Sequence, residues 1–221
     1  MNLNNPIGYK STEPLQKPFI MNPFRFGSGV IGGWKELDRT ILTSAGRPIT
    51  VSGLENKRYY MVLTNKIGDD SVNSGCWAQI NTDSGSNYAY RNSSNGGADT
   101  TGVSQVNGGA AISATPTTAF GVRYVSNLSS NEKLVLSSFV AQSTAGSATA
   151  PLRRENVFKW ANSADSVSSI TELSHPSIGE GEYAAGSEVV VLGWDPDDSN
   201  ANFWEELDSV TLSSTNANLA S

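Results

Sequence analysis

Apolar and polar residues alternate along most of this chain with a period of two, and almost nowhere with the 3.6-residue period of a helix. In residues 57–65, KRYYMVLTN, the set Tyr59, Met61, Leu63 alternates against Tyr60, Val62, Thr64. One run departs from this pattern. In AGSEVVVLGW, residues 185–194, Val189 and Val191 point to one side of a strand and Val190 and Leu192 to the other, yet all four are apolar. A strand greasy on both faces belongs inside a sheet, with one face on a core and the other covered by further protein.

Shorter segments complete a strand series. Residues 36–42 and 48–54 flank the turn TSAGR, and 76–81 and 86–91 flank the turn TDSG. Residues 119–127 and 132–142 form a hairpin turning at LSSN, and VFKWANS (157–163) and SVSSITELS (166–174) lead into the last run. Residues 92–118 and 143–152, rich in Gly, Ser and Thr, read as loops, the first too long to be an idle connection. About nine or ten short strands at this spacing predict an all-β, antiparallel sandwich or barrel.

Residues 1–33 read differently. Pro6, Pro14, Pro18 and Pro23 forbid a helix or a central strand, while Ile7, Tyr9, Leu15, Phe19, Ile20, Phe24 and Phe26 are spaced between them. This is the pattern of an extended arm that lies on another surface. The expected division is an arm at 1–33, a β-sandwich at 34–194 and a C-terminal tail at 195–221. Phe19, Phe24, Phe26, Trp34 and Trp204 are the expected partner anchors, because aromatic residues concentrate binding energy at interfaces.

Composition supports a folded β domain. Of 221 residues, 38% are hydrophobic and 16% charged, both low, with the balance in small polar residues and 21 glycines. The net charge of -6 supplies no basic stripe, so neither nucleic acid nor an anionic membrane is an expected partner. No run approaches the ~18 apolar residues of a membrane span. The first residues lack a charged start followed by an apolar stretch, so no secretory signal is expected.

Catalytic chemistry has few candidates. His175, the one histidine, sits in a turn before proline, and no GxSxG elbow occurs. One histidine and one cysteine, Cys76, cannot build a zinc site, and Cys76 reads as a small buried hydrophobe. The acidic turns GDDS (68–71) and DPDDSN (195–200) read as turn formers rather than calcium loops. No catalytic residue, cofactor or metal is expected. Trp77, Tyr88 and Tyr90, with Arg91, are the candidate glycan contacts, against the commoner role of such aromatics in packing.

The segments SVSSITELS and AAGSEVVVLGW resemble the last two strands of jelly-roll domains in tailed-phage structural proteins. The segments APLRRENVFKWANSADSVSSI and ITVSGLENKRYYMVLTN resemble proteins of marine and freshwater viruses. The resemblance covers about residues 36–194 and implies a jelly-roll β-sandwich on a virion, assembled in the host cytoplasm. It implies a non-enzymatic capsid decoration or cement protein, with the major capsid protein or other virion proteins as partners and a homotrimer as the favoured oligomer. The alternative it implies is a tail-associated module that recognises host surface glycans.

Overall fold

A computed structural model describes residues 30–31, 33–69, 74–104, 107–112, 117–142, 144, 146–173, 181–195 and 198. The described residues form thirteen strands and no helix. They are β1 (Val30–Ile31), β2 (Trp34–Ile41), β3 (Ile49–Ser52), β4 (Tyr59–Ile67), β5 (Ser74–Ile80), β6 (Tyr88–Ser94) and β7 (Thr100–Ser104). There follow β8 (Asn107–Ile112), β9 (Thr118–Ser126), β10 (Lys133–Ala141), β11 (Leu152–Trp160), β12 (Ser169–Leu173) and β13 (Glu188–Trp194).

They make two antiparallel sheets. The larger has the order β1-β2-β13-β4-β9-β10-β11-β6-β7, the smaller β3-β12-β5-β8. The pairing is nested. With β1 and the hairpin pairs β6–β7 and β10–β11 set aside, β2 pairs with β13, β3 with β12, β4 with β9 and β5 with β8. First thus pairs with last, second with second-last, and so inward. The two set-aside pairs extend the larger sheet beyond β9, and β8 at the edge of the smaller sheet packs over β10 and β11.

The core lies between the sheets. The larger sheet contributes Tyr60, Val62, Val125, Val135, Phe139, Phe158, Trp160, Val189 and Val191, and the smaller Ile49, Val51, Cys76, Ile80 and Ile170. Alternation explains this selection, since every second residue of β4, β9, β10 and β13 is buried. Trp160 is 1% exposed, and its indole Nε1 donates to Asp83 Oδ2 at 2.6 Å, pinning the β5–β6 turn. Asn127 at the end of β9 ties three segments together. Its amide donates to the Lys57 carbonyl at 2.8 Å, and its Oδ1 accepts from the Val167 N–H at 3.1 Å.

Two expectations on loops are corrected. Residues 92–118 contain β7 and β8, and β11 begins at Leu152 inside the stretch read as loop. Thr, Gly, Ala and Ser in TTGVS and NGGAAI carry no apolar alternation, so partners in space rather than local pattern make these segments strands. The run at 185–194 is an interior strand, β13 lying between β2 and β4. Val189 and Val191 are fully buried, and Val190 and Leu192 on the opposite face are half-buried. The arm anchors Phe19, Phe24 and Phe26, the tail residue Trp204, and His175 lie outside the described residues.

Candidate functional site

The outer face of the larger sheet, turned away from the core, is where apolar side chains concentrate. Pairing registers arrange it in rows that cross the strands. One row runs Trp194, Tyr59, Ser126, Leu134, Lys159, Ala89, Val103. The next runs Leu192, Met61, Tyr124, Leu136, Val157, Arg91, Thr101. The next row turns polar beyond β9, with Ser138, Glu155 and Ser93 in line with Val122, and the row after it runs Phe120, Val140, Arg153.

Much of this apolar surface is open. Leu136 is 61% exposed, Leu134 58%, Tyr124 49% and Val157 43%. Isolated exposed leucines need no explanation, but a contiguous patch of this kind marks an interaction surface. Within it lies a trough of about 810 Å³, running from Trp34, Tyr59 and Trp194 to Ala89, Arg91 and Thr101. At its first end Tyr59 stacks on Trp194 with ring centroids 5.3 Å apart, and Trp34 tilts against Trp194 at 6.3 Å. Ion pairs stand at its edge, Arg91 with Asp99 at 2.9 Å and Lys159 with Glu132 at 2.7 Å. Among the described residues the lining holds Trp34, Trp194, Phe158, tyrosines, aliphatics, Ser126, Thr101, Arg91 and Lys159, and no carboxylate, imidazole or thiol. Its chemistry is therefore burial of apolar surface, with two cations to orient what lies there.

Of the expected anchors, Trp34 lies at this trough. The glycan patch is corrected. Tyr88 is fully buried, and its hydroxyl donates to the Ile80 carbonyl at 3.2 Å and accepts from the Ile80 N–H at 2.9 Å. Burial pushes its phenol up, beyond the usual tyrosine range. Tyr90 is half-buried against the core and lines the trough, whereas Trp77 is on β5 of the other sheet. The three do not share a surface, because alternation sends Tyr88 and Tyr90 inward and the fold separates Trp77 from both. Leu134, Leu136 and Val157 are the residues missed by sequence reading. Their signal was present: KLVLSSFVA, like VVVL, is apolar at both odd and even positions.

A second cluster sits inside the sandwich. Lys66 from β4, Arg123 from β9 and Glu172 from β12 are all within 1% of complete burial. Lys66 Nζ lies 2.5 Å from Glu172 Oε2, and the Arg123 guanidinium contacts Glu172 Oε1. A register shift in the β5–β8 pairing occurs between Gly75 and Trp77, and the Cys76 carbonyl accepts from Arg123 at 3.0 Å. The Tyr183 hydroxyl donates to the neighbouring Gly75 carbonyl, and Lys66 lies 5.0 Å from the Tyr183 ring centre. Burial pulls the Lys66 ammonium down to about 7, with the Arg123 charge adding to the lowering. The cluster bridges the two sheets, and its three charged side chains are buried among the described residues.

Asp195 and Asp198, the described acids of DPDDSN, serve as turn formers and ion-pair partners. Asp195 accepts from the Arg58 N–H at 3.1 Å, and Asp198 pairs with Lys57 Nζ at 2.5 Å. Among the described residues no group of three potential metal ligands comes together.

No family, no curated protein and no solved structure matches this chain.

Proposed function

We propose that this chain is a non-enzymatic virion structural protein, most simply a capsid decoration or cement protein, whose body is a jelly roll. The supporting topology is the nested pairing of β2 with β13, β3 with β12, β4 with β9 and β5 with β8. That nesting is what results when a hairpin of eight strands rolls into two sheets, an arrangement used by viral capsid and lectin domains. On this reading β6–β7 and β10–β11 are additions that widen one sheet.

The observation that carries the binding role is the open apolar face of β9, β10 and β11, centred on Leu134 and Leu136. A face of this character favours protein contact over polar ligand chemistry. An oligomer held together through such faces presents several copies to the head at once, so multivalency raises avidity without strengthening any one contact.

The test is sedimentation of the purified chain with empty heads of the virus that encodes it, alongside an array of host surface glycans. Saturable association with heads and none with glycans is expected. Glycan binding without head binding would replace this reading with the tail-associated one.

A further inference from the structure

We infer that the trough on the outer face of the larger sheet receives the N-terminal segment, residues 1–29, of a neighbouring copy of this chain. This goes beyond attachment to a virion, since it concerns contact between copies and holds whether or not a capsid is the final partner.

Three observations converge on this occupant. First, among the described strands around the trough β7 is an edge and β2 is paired on its outer side only at Trp34 and Lys35, while the rest are interior, so the floor of the trough offers side chains and few free backbone groups. An occupant must therefore bind through side chains. Pro6, Pro14, Pro18 and Pro23 interrupt any continuous ladder that residues 1–29 could add to a sheet edge, while leaving Leu15, Phe19, Ile20, Phe24 and Phe26 to act as plugs. Second, the surface is hollow. Two copies placed face to face would set hollow against hollow and leave a void, whereas a single extended segment is convex and fills it. Third, the reach suffices. At ~3.3 Å per residue, 29 residues span up to ~95 Å, while the nine strands at ~4.8 Å spacing make a sheet only ~38 Å wide.

The position of β1 favours a neighbour over the same molecule. β1 pairs antiparallel to β2 with Ile31 opposite Trp34 and Val30 opposite Lys35. β1 therefore runs toward the Trp34 end of the trough, and Val30 at its start stands on the outer side of β2, with β2 between it and the trough. Copies that exchange segments in this way are linked by the chain itself, and each copy's open apolar face is covered by the next.

The test uses the full chain with a photoreactive benzoylphenylalanine in place of Leu136, which is 61% exposed, so the substitution leaves the core untouched. Equal amounts of unlabelled and nitrogen-15 protein are mixed under dissociating conditions, reassociated and irradiated. The expected product is a cross-link from position 136 to a peptide within residues 1–29, with about half of the linked pairs carrying mixed isotopes. As a second reading, Leu136→Glu in the full chain should keep the thermal midpoint of the wild type when both are compared as monomers. It should also raise the dimer or trimer dissociation constant at least tenfold. Cross-links to residues 1–29 of the same molecule only, cross-links to β9–β11 of another copy, no cross-link at all, or unchanged association of Leu136→Glu each overturns the inference.

Discussion

At the residue scale, the buried cluster of Lys66, Arg123 and Glu172 places two cations against one carboxylate inside the core. The count makes the cluster asymmetric to mutation. Glu172→Gln leaves Arg123, and below pH 7 Lys66 as well, buried without a counter-charge, and a loss of roughly 3–5 kcal/mol is expected, the cost of breaking a buried pair. Lys66→Met leaves the Arg123–Glu172 pair intact beside a chain of similar length, so its midpoint in chemical denaturation should stay level or rise. The pH dependence follows from the same group. The folded chain releases the Lys66 proton near pH 7, the unfolded chain near the ordinary lysine value of 10.5. Between those values the unfolded state binds more protons, so the contribution of Lys66 to stability rises with pH across that window. The groups facing it are Glu172, Arg123, Cys76 and the Tyr183 ring. Thermal unfolding of the wild type from pH 7 to pH 9 should show a rise that Lys66→Met lacks. Equal slopes in the two proteins would refute the assignment.

At the element scale, the β9–β10 pairing depends on one glycine. Gly121 is directly opposite Phe139, and a Cβ placed there would meet the ring at 2.0 Å. The ring fills the space above the glycine and stacks under Arg123, whose guanidinium carbon is 4.6 Å from the ring centre. Gly121→Ala must displace that ring, and a cost of about 1–3 kcal/mol is expected, as for other overpacked cores. Because the two residues touch, Gly121→Ala and Phe139→Leu should be non-additive in a double-mutant cycle, and an interaction energy near zero would count against this contact. The turns are held by side chains of comparable weight. Asn127→Ala removes a donor and an acceptor shared by β9, the segment before β4 and the segment before β12, and should cost about 1–3 kcal/mol in urea unfolding.

At the scale of the whole molecule, a small sheet faces a large one, and the surplus strands carry apolar side chains on both sides. The inner side is satisfied by β8 and the core, while the outer side remains open around Leu134 and Leu136. A protein with such a face should bind a hydrophobic fluorescent dye when dilute and release it as copies associate. Dye fluorescence per chain is expected to fall several-fold across the concentration range in which sedimentation shows assembly. A signal that stays constant through that range would mean that the open face is not the one used for association.

Period-two alternation was enough to fix the all-β class, the place of most strands and which residues of each share a side, because a pleated strand sends successive side chains to opposite faces whatever surrounds it. By that rule Phe158 and Trp160 share one side of β11, where both are buried, and Tyr88 and Tyr90 share the side of β6 opposite Arg91. Alternation does not say which side of a strand meets the core or which strand lies beside which. Tyr88 and Trp77 looked like neighbours on one hairpin, yet they stand on different sheets. β7 and β8 had no pattern of their own and became strands through pairing with β6 and β5. The meeting of Lys66 with Glu172, 106 residues apart, and the assembly of the trough from β2, β4, β6, β7, β9, β10, β11 and β13 were likewise decided only by the tertiary fold. Burial is a property of the packed whole, whereas alternation is a property of the single strand.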